Sequence, residues 1–122
     1  MKGSVSVISI PVSDQESAKN FYQNTLGFTL VDDNAWGASQ RWITLSPSEG
    51  EVAISLVNWF EQMPPGSVQG VVLKVENLQE VRGALQDKGV SVSPLEAQPS
   101  GTFAGFSDPD GNGWILREAP RR

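Results

Sequence analysis

Two helix signatures recur half a chain apart, and this recurrence constrains the fold more than any other feature. Ser13 or Asp14 supplies a helix start. After it Ala18, Phe21, Tyr22, Thr25 and Leu26 fall at spacings of three and four, and Gly27 stands where a left-handed residue ends a helix. Asn77 starts a second such run through Leu78, Val81, Ala84 and Leu85, which Gly89 ends. Glu16, three residues after Ser13, and Glu80, three after Asn77, stand where a capping box places its acid. The starts lie 63 residues apart (77 − 14) and the ends 62 apart (89 − 27), close to half of the 122 residues. Such a spacing predicts two copies of one supersecondary unit.

The runs between the helices read as strands. Residues 5–10, 28–31, 41–45 and 52–57 are β-branched or aromatic in the first half, and 71–75 and 90–92 match them in the second. Asp32-Asp33-Asn34 reads as a turn and residues 46–50 as a hairpin loop, while residues 58–67 have no period and read as a connector. Residues 103–116 form two short apolar runs around Asp108-Pro109-Asp110-Gly111-Asn112. Pro109 presets φ, Asp108 accepts from the backbone two residues on, and Gly111 or Asn112 takes the left-handed conformation. That stretch predicts a hairpin closing the second copy, and the turn needs no ligand to explain it. The expectation is a single domain over 1–122, with modules at about 1–58 and 68–122 joined at about 59–67.

Composition removes much catalytic equipment. Cysteine and histidine are both absent, which excludes disulfides, thiolate nucleophiles, thiolate metal sites, and the commonest metal ligand and general base near neutral pH. A net charge of −5 argues against nucleic acid and anionic membrane surfaces as partners. No apolar run approaches the roughly 18 residues of a membrane span, and Met1-Lys2-Gly3-Ser4 lacks a signal peptide's apolar stretch, so a cytoplasmic location is expected. There is no Gly-rich phosphate loop and no nucleophile elbow. Asp32, Asp33, Asp108 and Asp110 fall in expected turns, where solvated or capping roles prevail. Arg41, Lys74 and Arg117 read as solvated surface charges.

Ile10-Pro11-Val12-Ser13-Asp14, Ala18-Lys19-Asn20-Phe21-Tyr22, Leu26-Gly27-Phe28, Lys88-Gly89-Val90 and Phe106-Ser107-Asp108-Pro109-Asp110-Gly111-Asn112 together resemble the vicinal oxygen chelate superfamily. This group contains glyoxalase I, extradiol dioxygenases and the bleomycin-resistance and related antibiotic-binding proteins. The resemblance implies an α+β fold of two tandem βαβββ modules whose curved mixed sheets surround a cavity, often completed by a second subunit. Enzymes of the group hold a divalent metal at four strand positions, which fall here on Val7, a residue near Ser55, Gly70 and Ile115. None of these is a good metal donor, so the family's metal chemistry is not expected to carry over and no cofactor is expected.

Strand alternation then predicts the cavity lining. With Val7 inward, Val5 and Ser9 follow and Ile8 and Ile10 face the helix. Trp42, Thr44, Val72, Lys74, Gly113, Ile115 and Arg117 also face inward, and Phe103, Gly105 and Ser107 oppose Ala104 and Phe106. Trp114 falls on the helix side, as core. Trp36, Trp42 and Trp59, the last beside Phe60, expose large apolar faces unless a ligand or a dimer interface covers them. The expected ligand-binding set is Val7, Ser9, Trp36, Trp42, Thr44, Ser55, Trp59, Phe60, Val72, Phe103, Gly105 and Ile115, with no catalytic or metal residue.

The expected function is a homodimeric binding protein that sequesters a planar aromatic natural product without metal. The alternative is an isomerase, lyase or dioxygenase-like enzyme with a non-standard metal site at Glu51, Glu61 or partner-chain residues. A structural or regulatory protein with a self-filled cavity is a third reading.

Overall fold

The computed structural model of the chain describes residues 1–37, 40–47 and 52–120. Its architecture is α+β, with two tandem modules that each lay one helix against a four-stranded mixed sheet. The first sheet comprises β1 (Val7–Pro11), β2 (Thr29–Trp36), β3 (Gln40–Ser46) and β4 (Ala53–Val57) in the order β1-β4-β3-β2. The second comprises β5 (Val71–Lys74), β6 (Glu96–Gln98), β7 (Gly101–Ser107) and β8 (Gly113–Glu118) in the order β5-β8-β7-β6. In each, the first and last strands of the module pair in parallel and the other pairs are antiparallel. The repeat in the sequence is thus a repeat of strand order, and both sheets stay open at their edges.

Local chemistry sets the helix ends. Asp14, not Ser13, is the cap of α1 (Gln15–Asn20): its carboxylate accepts from Ser17 N at 3.1 Å. The third helical residue is therefore Ser17 and the Ser13/Glu16 capping box does not form. Ser13 instead donates its hydroxyl to Asp110 at 2.6 Å, and Glu16 accepts from Arg41. Beyond Asn20 the helix widens into a π-type turn, Phe21–Thr25, with Leu26 N donating to the Phe21 carbonyl at 3.1 Å. In α2 (Leu78–Asp87) Asn77 caps Glu80 N at 3.2 Å as expected.

Both helices and the inner faces of both sheets share one core. Ile10, Ile43, Leu45, Leu56, Leu78, Leu116, Tyr22 and Trp114 are all nearly or wholly enclosed. Each such side chain stabilises the fold by about 1.5–3 kcal/mol through removal of apolar surface from water. Trp114 packs at 5.8 Å from both Tyr22 and Phe28 and stacks on Phe106, as its strand parity predicts.

The closing turn is more than a turn. Buried Asp108 accepts from Asp110 N and Asn112 N on one oxygen, and from Tyr22 Oη and Asn112 Nδ2 on the other. Asn112 also donates to the Pro11 carbonyl at 2.8 Å, so the second module's hairpin is bonded to the first module's strand and helix. Gly111, with φ 96°, takes the left-handed position.

Three local expectations are corrected. Residues 32–34 lie within β2, because cross-strand pairing and an ion-pair network override their turn propensity. Residues 90–92 form no strand; Ser93 N bonds the Gly105 carbonyl, and the edge strand is β6. Residues 48–50 of the expected hairpin loop lie outside the described residues.

Candidate functional site

Each sheet buries one face against its helix and leaves the other open. In β3, Ile43 and Leu45 are fully buried while Trp42 and Thr44 remain partly accessible, and in the second sheet Ala104, Phe106 and Leu116 are buried while Val72 is 53% exposed. Exposed apolar surface of this kind is characteristic of association and ligand-binding sites.

On the first sheet the open face carries an aromatic ladder. Ring centres run from Trp36 to Trp42 at 5.6 Å, Trp42 to Trp59 at 5.2 Å and Trp59 to Phe60 at 6.0 Å, so Trp42 on β3 touches indoles from β2 and from the connector. Trp36 is 61% exposed. A pocket of about 490 Å³ lies beside it, lined by Asp32, Asn34, Ala35, Trp36, Trp42 and Thr44. Trp59 and Phe60 line an adjoining recess with Glu61, Gln62 and Met63.

Backbone register adds a polar row. Asp32 opposes Thr44, Thr44 opposes Ser55, and Ser55 opposes Ser9, so one carboxylate and three hydroxyls cross the four strands on the open face. Ser9 and Thr44 are partly accessible. Ser55 is fully buried, and its hydroxyl is without a hydrogen-bond partner among the described residues.

Sequence reasoning missed Asp32. The register slips between Leu30 and Asp32, which moves Asp32, Asn34 and Trp36 to the open face while Leu30 stays against Leu45 on the helix side. The adjacent Asp33 faces the helix. It accepts two bonds from Arg41 at 2.8 Å and one from Lys19 at 2.7 Å, which holds its carboxyl well below the usual carboxylate range. Arg41 is therefore a member of a bonded network rather than a solvated charge, and Arg117 donates to the Ser100 carbonyl at 2.6 Å.

The second sheet presents Val72, Phe103, Gly105 and Ile115 on its open face. Phe103, Gly105 and Ile115 share a small recess with Ser93 and Glu96. Gly105 and Ile115 also border a cleft of about 840 Å³ that reaches Phe21, Thr25 and Lys88. These residues and the ladder line separate cavities, so within one chain the expected binding set divides into two groups, one on each sheet.

Val7, Ser55, Gly70 and Ile115 offer two aliphatic side chains, one enclosed hydroxyl and no side chain at all, a set that does not fit a divalent ion. Among the described residues no group of three or more His, Cys, Asp or Glu comes together. Glu61 is exposed, and Glu51 lies outside the described residues. Among the described residues no helix is long and apolar enough to cross a membrane.

The family model of the Glyoxalase/Bleomycin resistance protein/Dioxygenase superfamily matches residues 4–116. The crystal structure of TnmS3, an antibiotic-binding protein from Streptomyces sp. CB03234, superposes with a TM-score of 0.93 at 40% identity, covering 98% of each chain. A member of the same superfamily from Sphaerobacter thermophilus DSM 20745 superposes with a TM-score of 0.88 at 34% identity, over 96% of this chain and 98% of that one. The uncharacterised protein YetH of Bacillus subtilis (strain 168) is 27% identical over 118 residues, which is 93% of this chain and 97% of YetH.

Proposed function

The chain belongs to the glyoxalase/bleomycin resistance protein/dioxygenase superfamily, and from that premise we propose that it is a metal-independent protein that sequesters a planar aromatic natural product or antibiotic. The observation that carries this reading is the ladder of Trp36, Trp42, Trp59 and Phe60 on an open sheet face. Indoles held this way offer large rigid surfaces to a flat ligand at little cost in side-chain entropy. The likeness to the antibiotic-binding TnmS3 supports it. Sequestration needs affinity alone, which suits a chain without histidine or cysteine.

In this reading two copies associate in the cytoplasm, with the first sheet of one facing the second sheet of the other. Val7, Ser9, Thr44 and the ladder would then form one wall, and Val72, Phe103, Gly105 and Ile115 the opposing wall. The exposure of Val7 and Val72 on the two open faces supports that arrangement.

Indole fluorescence titration with an anthracycline, together with native mass spectrometry and metal quantification on the same sample, tests it. The expected result is saturable quenching, a dimer mass and no stoichiometric metal. Absent quenching across planar aromatic antibiotics would overturn the ligand class. A stoichiometric divalent ion in protein purified without added metal would favour the enzyme reading.

A further inference from the structure

Among the described residues the ladder's pocket holds one carboxylate, and no described side chain bonds to it. Asp32 sits between Thr44 across the sheet and the indoles of Trp36 and Trp42 in the same pocket. Asp33, one residue on, is saturated by Arg41 and Lys19, whereas the Asp32 carboxylate makes no hydrogen bond or ion pair with any described residue. The other polar liners of the pocket among the described residues, Asn34 and Thr44, are uncharged, so none of them answers the carboxylate with a cation.

We propose that this pocket selects aromatic ligands that carry a positively charged nitrogen, with Asp32 as the specificity-determining residue. The inference rests on the aromatic-binding reading above and names the ligand's charge. Its physical basis is twofold. Indole faces attract a cation through the ring quadrupole, and a carboxylate beside them adds a charge-assisted hydrogen bond. Both effects favour the same ligand group, and neither favours an uncharged ring. The overall charge of −5 draws a cationic ligand toward the protein in the same sense. Asp32 holds the ligand's edge while the ring system lies against Trp36 and Trp42.

Paired titrations with 9-aminoacridine, which is cationic in mildly alkaline buffer, and acridine, which is neutral there, test this on the wild-type chain and on Asp32→Asn. Wild type should bind the cationic probe about tenfold more tightly than the neutral one, and Asp32→Asn should abolish that preference while leaving acridine binding in place. The preference should also fall with added salt, because Asp32 is solvent-exposed. Equal binding of both probes by wild type, unchanged in Asp32→Asn, would overturn the charge assignment and leave the aromatic-binding reading standing. If Asp32→Asn weakens self-association and leaves the acridine preference intact, the carboxylate serves a second copy of the chain, and the inference also fails. Failure of wild type to bind either acridine would overturn the aromatic-binding reading and this inference with it.

Discussion

The Tyr22 hydroxyl donates to Asp108 Oδ2 at 2.7 Å and accepts from Trp114 Nε1 at 3.0 Å, joining the first module's helical turn to the second module's hairpin. Burial and the adjacent Asp108 carboxylate push the Tyr22 pKa far above the usual tyrosine range. Tyr22→Phe would leave both the carboxylate and the indole N–H short of a partner inside the core. The expected cost is about 1–3 kcal/mol, read as a shift of the urea midpoint at constant slope. Because Tyr22 is the chain's one tyrosine, phenolate absorbance reports this group alone. A folded pKa above the unfolded one means stability is full below about pH 10 and declines as pH rises beyond it. Phenolate absorbance should therefore appear only with unfolding, and free titration near pH 10 in the folded protein would contradict the network.

Asp33 behaves in the opposite sense. Its carboxyl is lowered by the bonds from Arg41 and Lys19, so its contribution is present above the ordinary carboxylate range and is lost as pH falls through it. Asp33→Asn should cost about 1 kcal/mol near neutral pH, a modest figure because the network is partly exposed to water. The gap between wild type and variant should close in acid, and an acid-independent gap would show that the ion pairs are not its source.

Gly66 and Gly27 both have positive φ but different surroundings. A Cβ on Gly66 would run into the backbone carbonyl of Asp110, whereas one on Gly27 would meet nothing within 4 Å. Gly27→Ala should cost about 1 kcal/mol for its conformation alone, and Gly66→Ala at least about 2, measured by thermal or urea unfolding. Equal costs would mean that the connector does not rest on the hairpin turn.

Trp42 is the middle ring of the ladder, so Trp42→Ala removes contacts to Trp36 and Trp59 together. An aromatic ligand should lose at least about 1.5 kcal/mol of affinity, roughly tenfold, with little change in the unfolding midpoint. Trp114→Ala should do the reverse, costing about 3–5 kcal/mol of stability because that indole lies in the core. Calorimetry alongside a binding titration separates the two.

Val72 lies 53% exposed on the second sheet's open face. In the dimer proposed above, placing a charge there with Val72→Glu should shift the protein toward monomer in sedimentation velocity, while the dilute monomer keeps its far-ultraviolet spectrum. A variant that dimerises like wild type would move the proposed interface elsewhere.

Much of the fold was legible because it rests on local chemistry. Asn77, Gly27 and Gly89 act at the helix ends where their side-chain reach or missing Cβ suits them, and Gly111 takes the left-handed position in the closing turn. Two-residue alternation sorted Ile43 from Trp42 and Trp114 from Ile115 because pleated strands permit no other arrangement. What was illegible depended on distant partners. Asp108 looked like a turn residue because its bond to Tyr22 spans 86 positions, and Ser13 looked like a cap because Asp110 is 97 positions away. Asp32 and Asp33 looked like a turn because nothing local reveals that one opposes Thr44 and the other receives Arg41 and Lys19.

The sequence by itself determined the repeat, the helix-end residues Asn77, Gly27 and Gly89, and the buried faces of β3 and β8. Each follows from residue type and spacing along the chain. Only the tertiary structure decided that Asp32 shares the open face with Trp36 and Trp42, and that Ser55 is enclosed. It also decided that the expected binding residues divide between two sheets. A one-residue slip in register exchanges the faces of a strand, and the pairing that sets it is made with another strand rather than with sequence neighbours.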